Sequence, residues 1–162
     1  IGKALTEYAS AEWMGLFARL GARGWQVEIQ RGIDDVALVI PGLLACGVTV
    51  VIDHFGLPTG GIDAGKPSHQ AFLQSLANPQ VWLKLSAAYR SQSDIAQAAT
   101  VLAKARHAAG GIERFVWGSD WPHTQFESTQ NYAKNRKFLD ELVTDADERA
   151  RVLASPRELF RF

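Results

Sequence analysis

Four short apolar runs constrain this chain most: "WQVEIQ" from Trp25, "VTVVIDHFG" from Val48, "VWLKLSAAY" from Val81 and "FVWGSDW" from Phe115. Each is too short for a stable helix and rich in β-branched or aromatic side chains, so each reads as a strand. The second to fourth runs are nearly continuous in apolar residues and do not alternate, which is the pattern of parallel strands covered on both faces. Their starts are separated by about 30 residues, the length of a βα repeat. The chain is therefore expected to be α/β, either a doubly wound sheet or part of a (β/α)8 barrel.

Helical periodicity fills the intervals. Trp13, Leu16, Phe17 and Leu20 follow Ser10 at i, i+3, i+4 and i+7, and Phe72, Leu73 and Leu76 follow Ser68. Ile95, Ala99 and Leu102 after Ser93 mark a third helix, and Tyr132, Leu139 and Leu142 a fourth. Two more are expected to open at Thr144 and at "SPRE", where Ser155 would cap, a proline stands at the first helical position and Glu158 at the third. No linker of low complexity and no internal repeat beyond the α/β alternation divides residues 1–162, so one domain is expected.

Composition narrows the function. Lysine plus arginine balances aspartate plus glutamate at 17 each, with the charges scattered, so neither nucleic acid nor an anionic membrane is an expected partner. No apolar run reaches the ~18 residues of a membrane helix. A small-molecule ligand is the better expectation. The single cysteine, Cys46, excludes an internal disulfide and reads as a small core residue, compatible with a reducing, cytoplasmic setting. The start "IGKALTEY", without methionine, is expected to be a cut. "GLPTGGIDAGK" lacks the spacing of a phosphate loop before Lys66, so no nucleotide site is expected.

Ligands of parallel α/β folds collect at the carboxyl ends of the strands. Those ends carry the polar residues of this chain: Glu28 and Gln30, then Asp53 and His54, then Ser86, Tyr89 and Arg90, then Ser119, Asp120 and His123. Asp120 suits a general base, although an aspartate before Trp121 and Pro122 also suits an Asx turn. His54 suits a catalytic imidazole or a satisfied structural one. The fork of Arg90 suits a carboxylate ligand or a surface ion pair. Tyr89 and His123 read as supporting groups, Trp121 as a packing residue, and His69 and His107 as solvated helix residues. Asp53 is expected to point away from His54, because strand neighbours face opposite sides.

A catalytic zinc usually takes three protein ligands, and His54 with Asp120 supplies two. Neither Ser86 nor Ser119 stands in a nucleophile elbow. Water activated by Asp120 is the more economical chemistry.

Together, "VVIDHFGLP", "VWLKLSAAYR", "FVWGSDWPHT" and "SPRELFRF" resemble the second half of the amidohydrolase-related TIM-barrel hydrolases, in the branch that contains pyrone-dicarboxylate and sugar-lactone hydrolases. The resemblance runs from "GWQVEIQ" to the end. It implies that the four strands are the fifth to eighth of a (β/α)8 barrel, that the barrel's first half, with its His-x-His, lies outside this chain, and that Phe162 is near the natural terminus. An isolated half would expose two sheet edges. Carried over by residue, Asp120 would be the general base, His54 would contact the attacked carbonyl, Arg90 would hold a substrate carboxylate, and Tyr89, Gln30 and His123 would line the pocket. The implied activity is hydrolysis of an acidic cyclic ester such as 2-pyrone-4,6-dicarboxylate, in aromatic catabolism, with no cofactor required. The alternatives are a sugar lactonase, a zinc-dependent decarboxylase whose missing half supplies ligands, and a binding remnant without turnover. Oligomerisation is compatible with each.

Overall fold

The computed structural model describes residues 5–161, so the expectation about Phe162 lies outside the described residues. Four parallel strands form one sheet in the order β1-β2-β3-β4: β1 (Gln26–Ile29), β2 (Thr49–Ile52), β3 (Val81–Leu85) and β4 (Phe115–Trp117). Each predicted run contains its strand, and the turn residues that follow it leave the ladder. The register is unshifted from β1 to β2, pairing Val27 with Val50 and Glu28 with Val51, and continues through Val51–Trp82 and Lys84–Val116. Among the described residues, β1 and β4 are the two edges of an open sheet.

The helices are α1 (Ala11–Ala22), α2 (Ile33–Ala45), α3 (Pro67–Leu76), α4 (Ile95–Ala109), α5 (Tyr132–Leu142), α6 (Ala146–Ala154) and α7 (Pro156–Phe160). Ser10 caps α1 as expected, accepting from the amide of Trp13. The other caps correct the sequence reading. α3 opens at Lys66 with Pro67 in its first turn, and Ser68 lies inside it. Asp94 rather than Ser93 caps α4, in a reciprocal box with Gln97. Asp145 rather than Thr144 caps α6, accepting from the amides of Asp147 and Glu148. Ser155 makes no side-chain cap; its buried hydroxyl donates 2.7 Å to the carbonyl of Phe115, which ties the last helix to β4.

Helix α2 was not among the expected helices. It is apolar over most of its circumference and contains Pro41, which removes an amide donor that an interior turn normally uses. Pro41 lies on the exposed side, where water can satisfy the freed carbonyl, while Val36, Ile40 and Leu43 are buried against the sheet.

Strand parity then sorts side chains between two faces. Val50, Ile52, Val81, Leu83, Leu85 and Phe115 join the main core under the helices, with Phe72 and Leu139. The opposite face carries Val51, Trp82 and Val116, covered by Leu159 and Phe160 of α7. Further along this inner face, Lys84 bonds Glu28 at 2.6 Å and Asp53 at 2.7 Å. Gly118 makes room for it, since a Cβ there would stand 3.1 Å from Lys84 Cδ. Burial works against the ammonium, but the two carboxylates outweigh it and raise the pKa of Lys84 above its ordinary value.

Candidate active site

Beyond the last ladder bonds, the ends of β2, β3 and β4 turn sharply through left-handed backbone. His54, Phe55 and Leu57 have φ of 52°, 58° and 47°, Ala87 has 47°, and Asp120 and His123 have 60° and 61°. Side chains other than glycine adopt this region rarely and at a cost of order 1–3 kcal/mol each. Such conformations persist because the flanking strands are locked in the core, and here they aim polar groups from three strand ends at one place.

Asp120 is the centre of that place, its side chain 12% exposed. Arg90 Nε donates to its Oδ2 at 2.8 Å, and the Tyr89 hydroxyl donates to the same oxygen. Its Oδ1 faces His54 Nε2 at 3.6 Å, beyond a hydrogen bond. His54 is buried, and its Nδ1 lies 2.8 Å from the buried Ser86 hydroxyl. Burial holds the imidazole below its ordinary pKa, against the opposing pull of Asp53 and Asp120. Burial also raises the pKa of the Tyr89 phenol, and the bond to Asp120 adds to it. The Tyr89 hydroxyl lies 3.4 Å from Nδ1 of buried His123.

The structure thus brings together Asp120, His54, Tyr89, Arg90 and His123. Gln30 stands apart: it is exposed beyond β1 and lines a separate cleft of about 360 Å³ with Tyr8, Trp13 and Arg31. The Arg90 guanidinium is largely engaged, since its Nη2 donates to the carbonyl of Thr124 at 3.2 Å and its plane lies over the rings of Tyr89 and Phe126. Asp53 pairs with Lys84 and not with His54.

Three sequence readings are corrected. His69 is buried, not solvated: its Nδ1 accepts from the amide of Asp63 at 2.8 Å and its Nε2 faces Asp34 at 3.4 Å, joining α3 to α2. Trp121 does not pack; it is 78% exposed beside Asp120. Ser86, noted only as a polar strand end, is the partner of His54, and its inward parity with Trp82 and Lys84 was the available signal.

The described residues contain no group of three or more His, Cys, Asp or Glu placed to hold a metal. His54 and Asp120 together fall short of the three protein ligands a catalytic zinc usually takes, so the described residues alone do not fit one. No helix of the described residues is long and apolar enough to cross a membrane.

The family model described as amidohydrolase matches residues 4–162. The chain is 31% identical over 148 residues to a D-galactarolactone isomerase of Agrobacterium fabrum, covering 88% of this chain and 51% of that protein. It is 31% identical over 124 residues to a 2-pyrone-4,6-dicarboxylate hydrolase of Comamonas testosteroni, covering 69% and 40%. A solved structure from Pseudomonas putida, provisionally named a 2-pyrone-4,6-dicarboxylic acid hydrolase, superposes with a TM-score of 0.86 at 34% identity, covering 99% of this chain and 59% of that one. The chain spans about half the length of the curated relatives it matches. It belongs to the amidohydrolase family, and its parallel sheet and helices are part of that family's (β/α)8 barrel.

Proposed function

We propose that the strand-end cluster hydrolyses a small acidic lactone, with 2-pyrone-4,6-dicarboxylate or a close analogue as substrate. The observation that carries this reading is the asymmetry of Asp120: Oδ2 is anchored by Arg90 and Tyr89, while Oδ1 faces, among the described residues, the imidazole of His54 at 3.6 Å and accepts no hydrogen bond from them. A carboxylate held in this way is suited to take a proton from water.

In the proposed reaction, water gives a proton to Asp120 Oδ1 as its oxygen attacks the lactone carbonyl carbon. With Ser86 donating to Nδ1 of neutral His54, the Nε2–H donates to the developing oxyanion. The ring C–O bond then breaks, and the proton on Asp120 passes to the leaving oxygen, giving the opened hydroxy or keto acid. The guanidinium nitrogen of Arg90 without a hydrogen-bond partner among the described residues, Nη1, would take a substrate carboxylate, with Tyr89 and His123 on the same wall. Gln30 would reach substrate only from the neighbouring strand end. The relatives' names support a lactone as the substrate class. The Agrobacterium fabrum relative favours a hydroxylated sugar-acid lactone as the second reading.

Metal-stripped protein mixed separately with 2-pyrone-4,6-dicarboxylate and with a galactarate lactone tests both readings. Decay of the pyrone absorbance supports the first, and opening of the sugar lactone alone supports the second. Turnover that appears only on adding zinc favours a metal-dependent decarboxylase or hydrolase, and ligand affinity without turnover indicates a binding remnant.

A further inference from the structure

We propose that Tyr89 is a positioning residue that sorts the proton acceptors of the site: its hydroxyl occupies Asp120 Oδ2 and fixes His123 in the Nδ1–H tautomer, so that Asp120 Oδ1 and His123 Nε2 are left without a hydrogen-bond donor among the described residues. This rests on the hydrolytic role proposed for Asp120, which it deepens. A phenol has one proton to donate, and an ionised carboxylate can only accept. The close approach of Tyr89 to Oδ2 therefore commits that proton to Asp120. The phenol oxygen is then an acceptor toward His123 Nδ1, 3.4 Å away. The opposite imidazole tautomer would set two lone pairs against each other across this contact, so Nδ1 carries the ring proton. In a neutral imidazole Nε2 must then be bare. That atom is fully buried and has no hydrogen-bond partner among the described residues, in a side chain that is itself 5% exposed. A buried acceptor without a partner is costly, and this one is matched to an O–H group, from water or from a hydroxyl of the ligand. The Tyr89 ring is fixed independently of its hydroxyl, 4.9 Å from Phe126 and under the Arg90 guanidinium, so removing the oxygen leaves the packing in place.

Long-range proton–nitrogen correlation on the ¹⁵N-labelled full chain at about pH 8, where free imidazole is neutral, reads the tautomer directly. The His123 signals are assigned by their loss in His123→Gln. The expected result is the Nδ1–H form in the wild-type protein, lost to the Nε2–H form or to a mixture in Tyr89→Phe, with melting temperature little changed. On whichever lactone is turned over, Tyr89→Phe is expected to lower kcat about tenfold or more while KM stays within about twofold, since alignment of the base is lost and ligand contact is not. A wild-type His123 in the Nε2–H form, a tautomer indifferent to Tyr89→Phe, or a variant altered in KM alone would overturn the inference. If no lactone is turned over, the proposed function fails, and the tautomer measurement still decides the role of Tyr89 by itself.

Discussion

Two charged clusters share the inner side of this sheet, and they are built to opposite ends. Lys84 is held between Glu28 and Asp53, and its ammonium is matched by two carboxylates from the two strands before it. The backbone there is ordinary, with Asp53 at φ −74° and ψ 151°. Asp120 also meets a cation, Arg90, but through one oxygen, and it does so from a left-handed residue facing another left-handed residue, His54. The first cluster closes on itself; the second spends conformational strain to leave an oxygen open. Strain that the surrounding structure over-determines, next to an incompletely partnered carboxylate, is the ground on which we propose chemistry for the second cluster and stability for the first.

The largest expected effect separates the two clusters. Asp120→Asn keeps an oxygen for Arg90 and Tyr89 but removes the proposed base, so lactone turnover is expected to fall by about 10²–10⁴-fold while the fold persists. Lys84→Met does the reverse. It strands two partly buried carboxylates and is expected to cost about 1–3 kcal/mol in urea melts, the lower end being favoured because Glu28 keeps 39% exposure.

The same substitution fixes a sign in alkali. The folded pKa of Lys84 lies above 10.5, so its contribution is complete below that value and is lost as pH rises through the folded pKa. Lys84→Met should remove that alkaline loss; an unchanged alkaline limb would dissolve the contrast between the clusters. A smaller effect is spectroscopic. Tyr89 should ionise above the ordinary tyrosine value of 10.0, and Asp120→Asn should bring it down, read as the last-titrating tyrosine in an ultraviolet pH titration. The smallest is in acid. His54 is held below 6.5, so the unfolded chain binds the extra proton first, and stability is full above about 6.5 and falls as pH drops through the folded value. His54→Gln should flatten this part of the acid limb.

Much of this was legible in the sequence because parallel strands buried on both faces leave continuous apolar runs with polar residues where they end. All four strands and five of the six residues expected at the site follow from that pattern. Gln30 does not join them: it follows the last residue of β1 on the sheet's edge, exposed and lining a separate cleft. Helix α2 was missed although Ile33, Val36, Ile40 and Leu43 recur at i, i+3, i+7 and i+10, because apolar residues such as Leu38 on its exposed side blur that stripe. The left-handed residues had no signal: His54, Ala87 and Asp120 are not glycines, and only their tertiary surroundings hold them there. The bond between Tyr89 and Asp120 joins residues 31 apart, and the spacing of strand ends placed both on one rim without saying that they touch. His69 read as solvated because its helix position was known and its packing against α2 was not.

The most direct measurement is lactone turnover by the wild-type chain and Asp120→Asn, taken together with their melting temperatures. Turnover that collapses in the variant at an unchanged melting temperature is the predicted result. Turnover that survives the loss of Asp120, or disappears only in step with unfolding, would contradict the assignment of its open oxygen as the base.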